Sequence, residues 1–244
     1  MRIMSREGKM YSMGSGARYF GLSGNQLKLI ALIAMTVDHV GMMLFPFDAW
    51  FRMVGRLAFP IFAYMIGEGC AYTRSRGRYL GKMAGLALAC QIVYYLFMDS
   101  LYQSVLVTFS LSILLIFTLD NALKRSSLVN WAAVLITLAA IVFLTEFLPG
   151  LLPGTDYGVD YGFGGVVLPA VVFLGETRKQ KLGFFAAGTA VLGIVYGGIQ
   201  WFGLLAVPLM MLYNGQRGKR KLKNLFYIYY PAHLVVIYAI GLIV

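Results

Sequence analysis

Runs of about 20 apolar residues recur along the sequence, and this pattern constrains the fold more than any other feature. An α-helix needs about 20 residues to cross the hydrocarbon core of a bilayer. Hydrophobic side chains make up 59% of the 244 residues and charged ones only 13%, whereas soluble domains carry roughly one quarter charged residues. We therefore expect an all-α, polytopic integral membrane helix bundle without a separate soluble domain.

The apolar runs predict about nine transmembrane helices. A capping box at Ser23 and Gln26 marks the start of the first helix. The glycine pair Gly197-Gly198 separates the seventh helix from the eighth, and eight helices remain the alternative if that run is continuous. The predicted spans cover residues 27–45, 53–72, 79–98, 104–121, 128–148, 161–175, 182–198, 200–213 and 225–244.

The distribution of basic residues predicts the orientation of these helices. Under the nine-span assignment, 19 of the 21 basic residues lie on one side, and only Arg52 and Arg56 lie on the other. Because basic loops stay in the cytoplasm, we expect a cytoplasmic N-terminus and an extracytoplasmic C-terminus. Residues 1–22 form a basic N-terminal segment without the apolar core of a cleaved signal peptide, and residues 23–244 form one transmembrane domain. Topology accounts for the net charge of +11, so no nucleic-acid partner is expected.

Ionisable residues inside transmembrane helices are costly and mark candidate functional sites. His39 lies eleven residues after Lys28, a separation of about three helical turns or roughly 16 Å. The two side chains therefore share one face of the first span, with Lys28 at the cytoplasmic rim and His39 in the membrane interior. This alignment allows an anion to bind at the rim while chemistry occurs at His39, which we favour over a packing role.

Asp38 is a second catalytic candidate, but adjacent helical residues point about 100° apart, so Asp38 needs a partner other than His39. Arg56, near the outer end of the second span, meets Asp38 at a similar depth. That contact is interpreted either as a structural ion pair or as part of a substrate site. Glu68, between two glycines of the same span, is a further candidate for substrate binding, with close helix packing as the alternative.

The last span carries the second of the two histidines, His233, in the sequence YYPAH. Pro231 removes a helical hydrogen bond and leaves a carbonyl free to bind another group. His233 lies roughly 12 Å deep in this span, so the two histidines are expected to meet, and Tyr229 shares the same face. No residues have the spacing of zinc ligands, and no metal is expected.

Three blocks of the sequence stand out: GLSGNQLKLIALIAMTVDHVG at residues 21–41, GRLAFPIFAYMIGEG at residues 55–69, and KNLFYIYYPAHL at residues 223–234. Together with YGFGG at residues 161–165 they resemble the TraX family. The lysine-to-histidine spacing is also similar to the basic-x10-His pattern of the wider integral membrane acyltransferases.

This resemblance implies an acetyl-CoA-dependent acetyltransferase of the bacterial cytoplasmic (inner) membrane. The acceptor would be an amine or a hydroxyl, such as a pilin-like N-terminus, a peptide or a surface glycan. His39 would be the general base, with Asp38 and His233 beside it, and Arg56, Glu68 and Tyr229 would contact the acceptor. Basic residues would bind the phosphates of acetyl-CoA, namely Lys28, Arg74, Arg76, Arg78, Lys219 and Arg220.

Two other classes of protein remain open from the sequence. A small proton-coupled transporter would use Asp38, His39 and Glu68 as a proton relay. A structural subunit of a conjugation apparatus would need His39 only for folding. Cleavage of acetyl-CoA that depends on His39 distinguishes the enzyme from both alternatives.

Overall fold

A computed structural model of the protein describes residues 21–218 and 223–243. The helices are α1 (Gly24–Leu44), α2 (Ala49–Gly55), α3 (Ala58–Tyr72), α4 (Arg76–Met98), α5 (Val105–Lys124), α6 (Leu128–Val142), α7 (Leu148–Leu151), α8 (Gly162–Leu174), α9 (Arg178–Tyr196), α10 (Ala206–Met211) and α11 (Lys223–Gly241). A π-helical segment, Phe143–Phe147, joins α6 to α7, and a 3-10 segment, Gly198–Leu205, precedes α10. The described residues contain isolated bridges but no strand, so the expected all-α class is confirmed.

Four continuous helical stretches among the described residues are long and apolar enough to cross a membrane: Gly24–Leu44, Arg76–Met98, Val105–Lys124 and Leu128–Leu151. Three shorter apolar helical stretches are Gly162–Leu174, Gly198–Met211 and Ile228–Gly241. Each of the nine predicted spans coincides with a helical segment. By length and composition, however, four of the helical stretches among the described residues qualify as membrane spans. The nine-span topology and the sides on which the termini lie stay predictions.

The buried core lies between α1, α3, α5 and α8, and α3 packs against the other three. Eleven of its fifteen residues are buried. The outer helices instead expose large apolar side chains, such as Leu88 on α4 and Ile136 on α6. An apolar exterior of this kind suits lipid contact, since a soluble protein rarely exposes so large an apolar surface.

The start of α1 follows the sequence prediction. The Ser23 hydroxyl accepts a hydrogen bond from the Gln26 backbone N–H, and the Gln26 side chain accepts one from the Ser23 N–H at 2.9 Å. This reciprocal pair satisfies two backbone donors that the first turn leaves open. A second capping box, formed by Thr177 and Gln180, starts α9 in the same way.

The predicted second span is not continuous, because the helix breaks after Gly55 and resumes at Ala58. Pro60 explains the break: it has no N–H to bond the carbonyl four residues earlier, and its ring clashes with that group. The carbonyl in question belongs to Arg56. The break therefore places Arg56 at a turn inside the bundle, where its side chain can reach several neighbouring elements.

Close contact between α1 and α2 depends on two glycines. A Cβ atom at Gly41 would overlap Phe51, and one at Gly55 would overlap the Asp38 side chain. Without side chains at these positions, the two helices approach closely enough for Asp38 to face both arginines of α2 and the following turn.

Candidate functional site

The two histidines meet, as the sequence predicts. Nε2 of His233 lies 3.3 Å from Nδ1 of His39, and the rings pack edge to face with centroids 5.0 Å apart. The contact joins α1 to α11, helices that are almost 200 residues apart in sequence. It is supported by a second contact of 2.8 Å between the hydroxyls of Thr36 and Tyr229.

Backbone carbonyls determine which nitrogen of each ring carries hydrogen. Nδ1 of His39 lies 2.9 Å from the Met35 carbonyl, and Nδ1 of His233 lies 3.0 Å from the Tyr229 carbonyl. Because a carbonyl only accepts hydrogen bonds, both Nδ1 atoms are donors. His39 Nδ1–H is thus shared between the Met35 carbonyl and Nε2 of His233. Nε2 of neutral His39 keeps its lone pair and makes no hydrogen bond with the described residues, which suits it to act as a base.

Aromatic side chains fix the His233 ring. Tyr229 stacks on it with centroids 5.3 Å apart and ring planes within 8°, and Tyr230 packs edge-on at 5.4 Å. Tyr229 therefore shares the face of His233, as the sequence predicts. Since His233 is almost completely buried, its ring has little freedom to leave His39.

A cavity of about 160 Å³ runs beside α1, and two of its lining residues contact the histidine pair, although neither histidine lines it. Lys28, Asn25 and Arg217 lie at one end. Met35 and Tyr230, which contact His39 and His233, lie at the other. The walls between them are mostly apolar, with Tyr79 as the one phenol: Leu32, Phe62, Met65, Ile66, Tyr79, Met83, Leu86, Leu106 and Phe109. No acidic side chain of the part of the chain that the structure describes forms a salt bridge with Lys28, so no carboxylate there competes with an anion for this side chain.

Asp38 does not orient His39 but binds two arginines. Its Oδ2 lies 2.7 Å from Nη1 of Arg52, and its Oδ1 lies 3.1 Å from Nη2 of Arg56. The expected contact between Asp38 and Arg56 is confirmed. Arg56 also donates to the Tyr161 hydroxyl at 3.3 Å and to the side-chain oxygen of Gln200 at 3.4 Å.

Asp160 adds a second carboxylate to this cluster, just before α8 and outside the candidate spans. Its Oδ1 accepts a hydrogen bond of 3.0 Å from the Tyr102 hydroxyl, and its backbone carbonyl accepts one of 2.6 Å from Thr108. Burial raises the pKa of Asp160 to about 6, although the Tyr102 hydrogen bond and the charge of Arg56 oppose the shift. Asp160, Tyr161 and Gln200 were not predicted as site residues. Tyr161 and Gln200 carry no charge, so a search of the sequence for ionisable residues inside the spans does not find them.

Other predicted site residues lie away from the histidine pair. Glu68 forms an ion pair with Lys181 on the face of α3 that meets α9, so the structure gives it a helix-packing partner and no contact with the cavity. Arg76 pairs with Asp120 and also donates to Asn121 at 2.6 Å, which leaves it less available for phosphate.

The remaining basic residues divide into two groups. Arg74 is exposed, and Arg78 is exposed and donates to the Ser75 hydroxyl at 2.9 Å. Lys219 and Arg220 lie outside the described residues.

The structure therefore brings together His39, His233 and Tyr229 at one end of the cavity and Lys28 at the other, with Asp38 and Arg56 beside His39. Asn25 and Tyr230 join the cavity without having been predicted.

These features define a helical membrane protein with a polar site buried among its apolar helices. Comparison with known proteins gives the family. The profile of the TraX protein family matches residues 23–241, and the chain belongs to this family. The resemblance of the three sequence blocks is thereby confirmed.

Two curated proteins are similar to the chain. A probable fimbrial assembly protein FimC (serogroup H1) of Dichelobacter nodosus is 25% identical over 91% of this chain and 96% of its own length. The uncharacterized protein RP591 of Rickettsia prowazekii (strain Madrid E) is 46% identical over 41 residues, which cover 17% of this chain and 16% of that protein. No solved structure matches the chain.

Proposed function

We propose that the protein is an integral membrane acetyltransferase of the bacterial inner membrane that moves an acetyl group from cytoplasmic acetyl-CoA to an amine or hydroxyl. The observation that carries this proposal is one cavity with Lys28, which has no carboxylate partner among the described residues, at one end and the histidine pair beyond the other. Its apolar walls accept a narrow, flexible chain. Its volume of about 160 Å³ is below that of ordinary small-molecule pockets, roughly 300–1,000 Å³.

This geometry separates the two ends of the donor. The nucleotide of acetyl-CoA is too large for the cavity and stays at the mouth, where Lys28 and Arg217 attract its phosphates. The pantetheine arm enters between the apolar walls and directs the thioester toward His39. Lys28 and His39 lie about 16 Å apart along α1, a distance that an extended arm spans.

His39 acts as the general base. Its Nε2 takes the proton from the acceptor nitrogen or oxygen as that atom attacks the thioester carbonyl. The carbon–sulfur bond then breaks, and coenzyme A leaves as the thiolate and takes up a proton. His233 accepts the hydrogen bond from Nδ1–H of His39 and disperses the positive charge that develops on the ring. The name of the fimbrial assembly relative favours a fimbrial subunit as the acceptor, and membership of the TraX family favours the amino terminus of that subunit.

The test is thioester cleavage by the purified protein in lipid nanodiscs. Free thiol released from acetyl-CoA is measured with and without a peptide that has a free amino terminus. His39→Ala is expected to lower the rate about 100- to 10,000-fold. Ile33→Ala is the matched control, because Ile33 lies on the same helix with 62% of its side chain exposed away from the site.

Three outcomes separate the candidate functions. Peptide acetylation that requires His39 supports the acetyltransferase. No thiol release from the folded wild-type protein refutes the acetyltransferase and favours the transporter or the structural subunit instead. Equal thiol release by wild type and His39→Ala removes His39 from the mechanism.

A further inference from the structure

Tyr230 brings a hydroxyl group to the inner end of the cavity, the end beside Met35. It lies on α11, three residues before His233, and lines the cavity. Its ring packs edge-on against the His233 ring, with centroids 5.4 Å apart. His233 in turn contacts His39. The phenol therefore lies between the cavity and the histidine pair.

The other polar side chains of the cavity lie toward its mouth. Three of them form that mouth: Asn25, Lys28 and Arg217. The fourth is Tyr79, whose hydroxyl would lie 2.6 Å from a Cβ atom at Gly69, in the last turn of α3. That half of α3 packs beside the start of α1, since a Cβ atom at Gly24 would lie 3.6 Å from the Met65 sulfur. Among the described lining residues, Tyr230 is thus the polar side chain of the inner end.

The Tyr230 hydroxyl makes no hydrogen bond with the described residues, yet it is not sealed. Side-chain atoms that are both unpaired and completely enclosed occur at three described residues: Gln91, Ser104 and Gln200. The Tyr230 oxygen is not one of them, although the residue is only 7% exposed. The hydroxyl therefore borders open space, and the space that Tyr230 lines is the cavity.

Packing alone does not explain this hydroxyl. Phe62 and Phe109 line the same cavity without one, and a phenylalanine ring would pack on His233 equally well. A hydroxyl that leaves water without gaining a partner is unfavourable. Its presence at the inner end indicates an acceptor atom that arrives with the ligand of the cavity.

We propose that Tyr230 is a catalytic residue whose hydroxyl donates a hydrogen bond to the carbonyl oxygen of the donor thioester. This inference rests on the proposed acetyl transfer and adds the group that stabilises negative charge on that oxygen. His39 lies one turn beyond Met35 on α1, and Nδ1 of His39 contacts the Met35 carbonyl at 2.9 Å. A thioester delivered to the inner end therefore has the base toward α1 and the phenol toward α11.

The hydrogen bond matters most while the carbonyl is attacked. The acceptor nitrogen or oxygen bonds to the carbonyl carbon as Nε2 of His39 takes its proton, and the π electrons move onto the carbonyl oxygen. Tyr230 keeps its own proton and stabilises this anionic oxygen. The carbonyl then reforms, the carbon–sulfur bond breaks, and coenzyme A leaves as the thiolate and takes up a proton. Because the oxygen is charged only at this stage, the hydroxyl affects kcat more than KM.

The kinetic test removes the hydroxyl and keeps the ring. In Tyr230→Phe, kcat for peptide acetylation is expected to fall about 100-fold, while KM for acetyl-CoA rises no more than about fivefold. Tyr238→Phe is the matched control on the same helix, because that ring packs against Phe97 at 5.9 Å and does not line the cavity. An unchanged kcat in the folded Tyr230→Phe protein overturns the proposal.

A binding test needs no transfer. Two coenzyme A analogues that cannot donate an acyl group are compared: 2-oxopropyl-CoA carries a ketone, and propyl-CoA has a methylene group in its place. Binding to the full-length protein in nanodiscs is measured by equilibrium dialysis. Wild type and Tyr238→Phe are expected to bind the ketone about fivefold more tightly. Tyr230→Phe is expected to bind the two analogues within about twofold of each other.

The outcomes separate this inference from the acetyltransferase proposal. Equal wild-type affinity for the two analogues, or a preference that the folded Tyr230→Phe protein keeps, overturns the role of Tyr230 even if acetyl transfer occurs. A preference that depends on Tyr230, without any transfer by the wild type, supports the carbonyl contact and refutes acetyl transfer. Failure of both analogues to bind refutes the cavity as the donor site and this inference with it.

Discussion

Removal of the His233 ring tests whether this residue acts through His39 or by itself. In His233→Ala, Nδ1–H of His39 keeps the Met35 carbonyl at 2.9 Å but loses the ring nitrogen at 3.3 Å. A hydrogen bond to a charged group contributes about 1.5–3 kcal/mol. Because the contact is longer than the usual range for N–H donors, the lower end applies, and kcat/KM should fall about tenfold.

The double variant tests whether the two histidines act in the same step. If His233 works only by supporting His39, then the combined substitution His39→Ala/His233→Ala should be no slower than His39→Ala alone. The assay is acetylation of a peptide at saturating acetyl-CoA, with kcat/KM for the peptide determined for all four proteins. Val236→Ala, at an exposed position of the same helix, controls for general damage to α11.

Thermal unfolding in the same nanodiscs separates stability from chemistry, since truncation of a buried ring also leaves a cavity. The reasoning is refuted if His233→Ala alone loses as much rate as His39→Ala, or if the losses multiply in the double variant. Either result would give His233 a chemical step of its own.

Four further predictions follow from the same structure. Lys28→Ala should raise KM for acetyl-CoA with little change in kcat, because phosphate contacts are similar in ground and transition states, and Lys28→Arg should largely restore KM. Glu68→Gln should lower the unfolding temperature by leaving Lys181 without its charged partner, and a changed KM for acetyl-CoA would contradict that assignment. The folded-state pKa of Asp160, about 6, lies above its ordinary value of 3.8; the folded protein then binds more protons, so stability falls as pH rises from about 4 to 6. Asp160→Asn should remove this decline in melting temperature. A reporter fused after Val244 should be active only outside the cytoplasm, and cytoplasmic activity would contradict the nine-span topology.

Local and periodic signals in the sequence predicted much of the fold and part of the site. The Ser23 capping box placed the start of α1 to within a few residues, since capping depends only on neighbours in the chain. The rise per residue of a helix placed His39 and His233 at comparable distances along their helices, and the two rings are in contact. Their meeting needed only that both faces point inward, as polar faces of membrane helices do.

Features that depend on tertiary packing were not predictable in this way. Glu68 is flanked by glycines in the sequence, but its partner Lys181 comes from a helix more than 100 residues later. Gln200 lies in a run that hydropathy alone places in a membrane helix, whereas the structure forms a tighter 3-10 turn there. The break at Arg56 is explained by Pro60, which is visible in the sequence. The span was predicted from the length of its apolar run, however, and that length does not change when one helical hydrogen bond is lost.

The broken second span has a consequence for how the protein can change over evolution. The cavity wall is made mainly of long helices whose residues also form the common core, so substitutions there change the shape of the cavity and the stability of the bundle together. The polar cluster around Arg56 instead rests on the seven-residue helix α2, a 3-10 segment and the loop before α8. Short elements of this kind tolerate insertions and exchanges. These three segments can therefore change among relatives at less cost to the core than the residues of the cavity wall can.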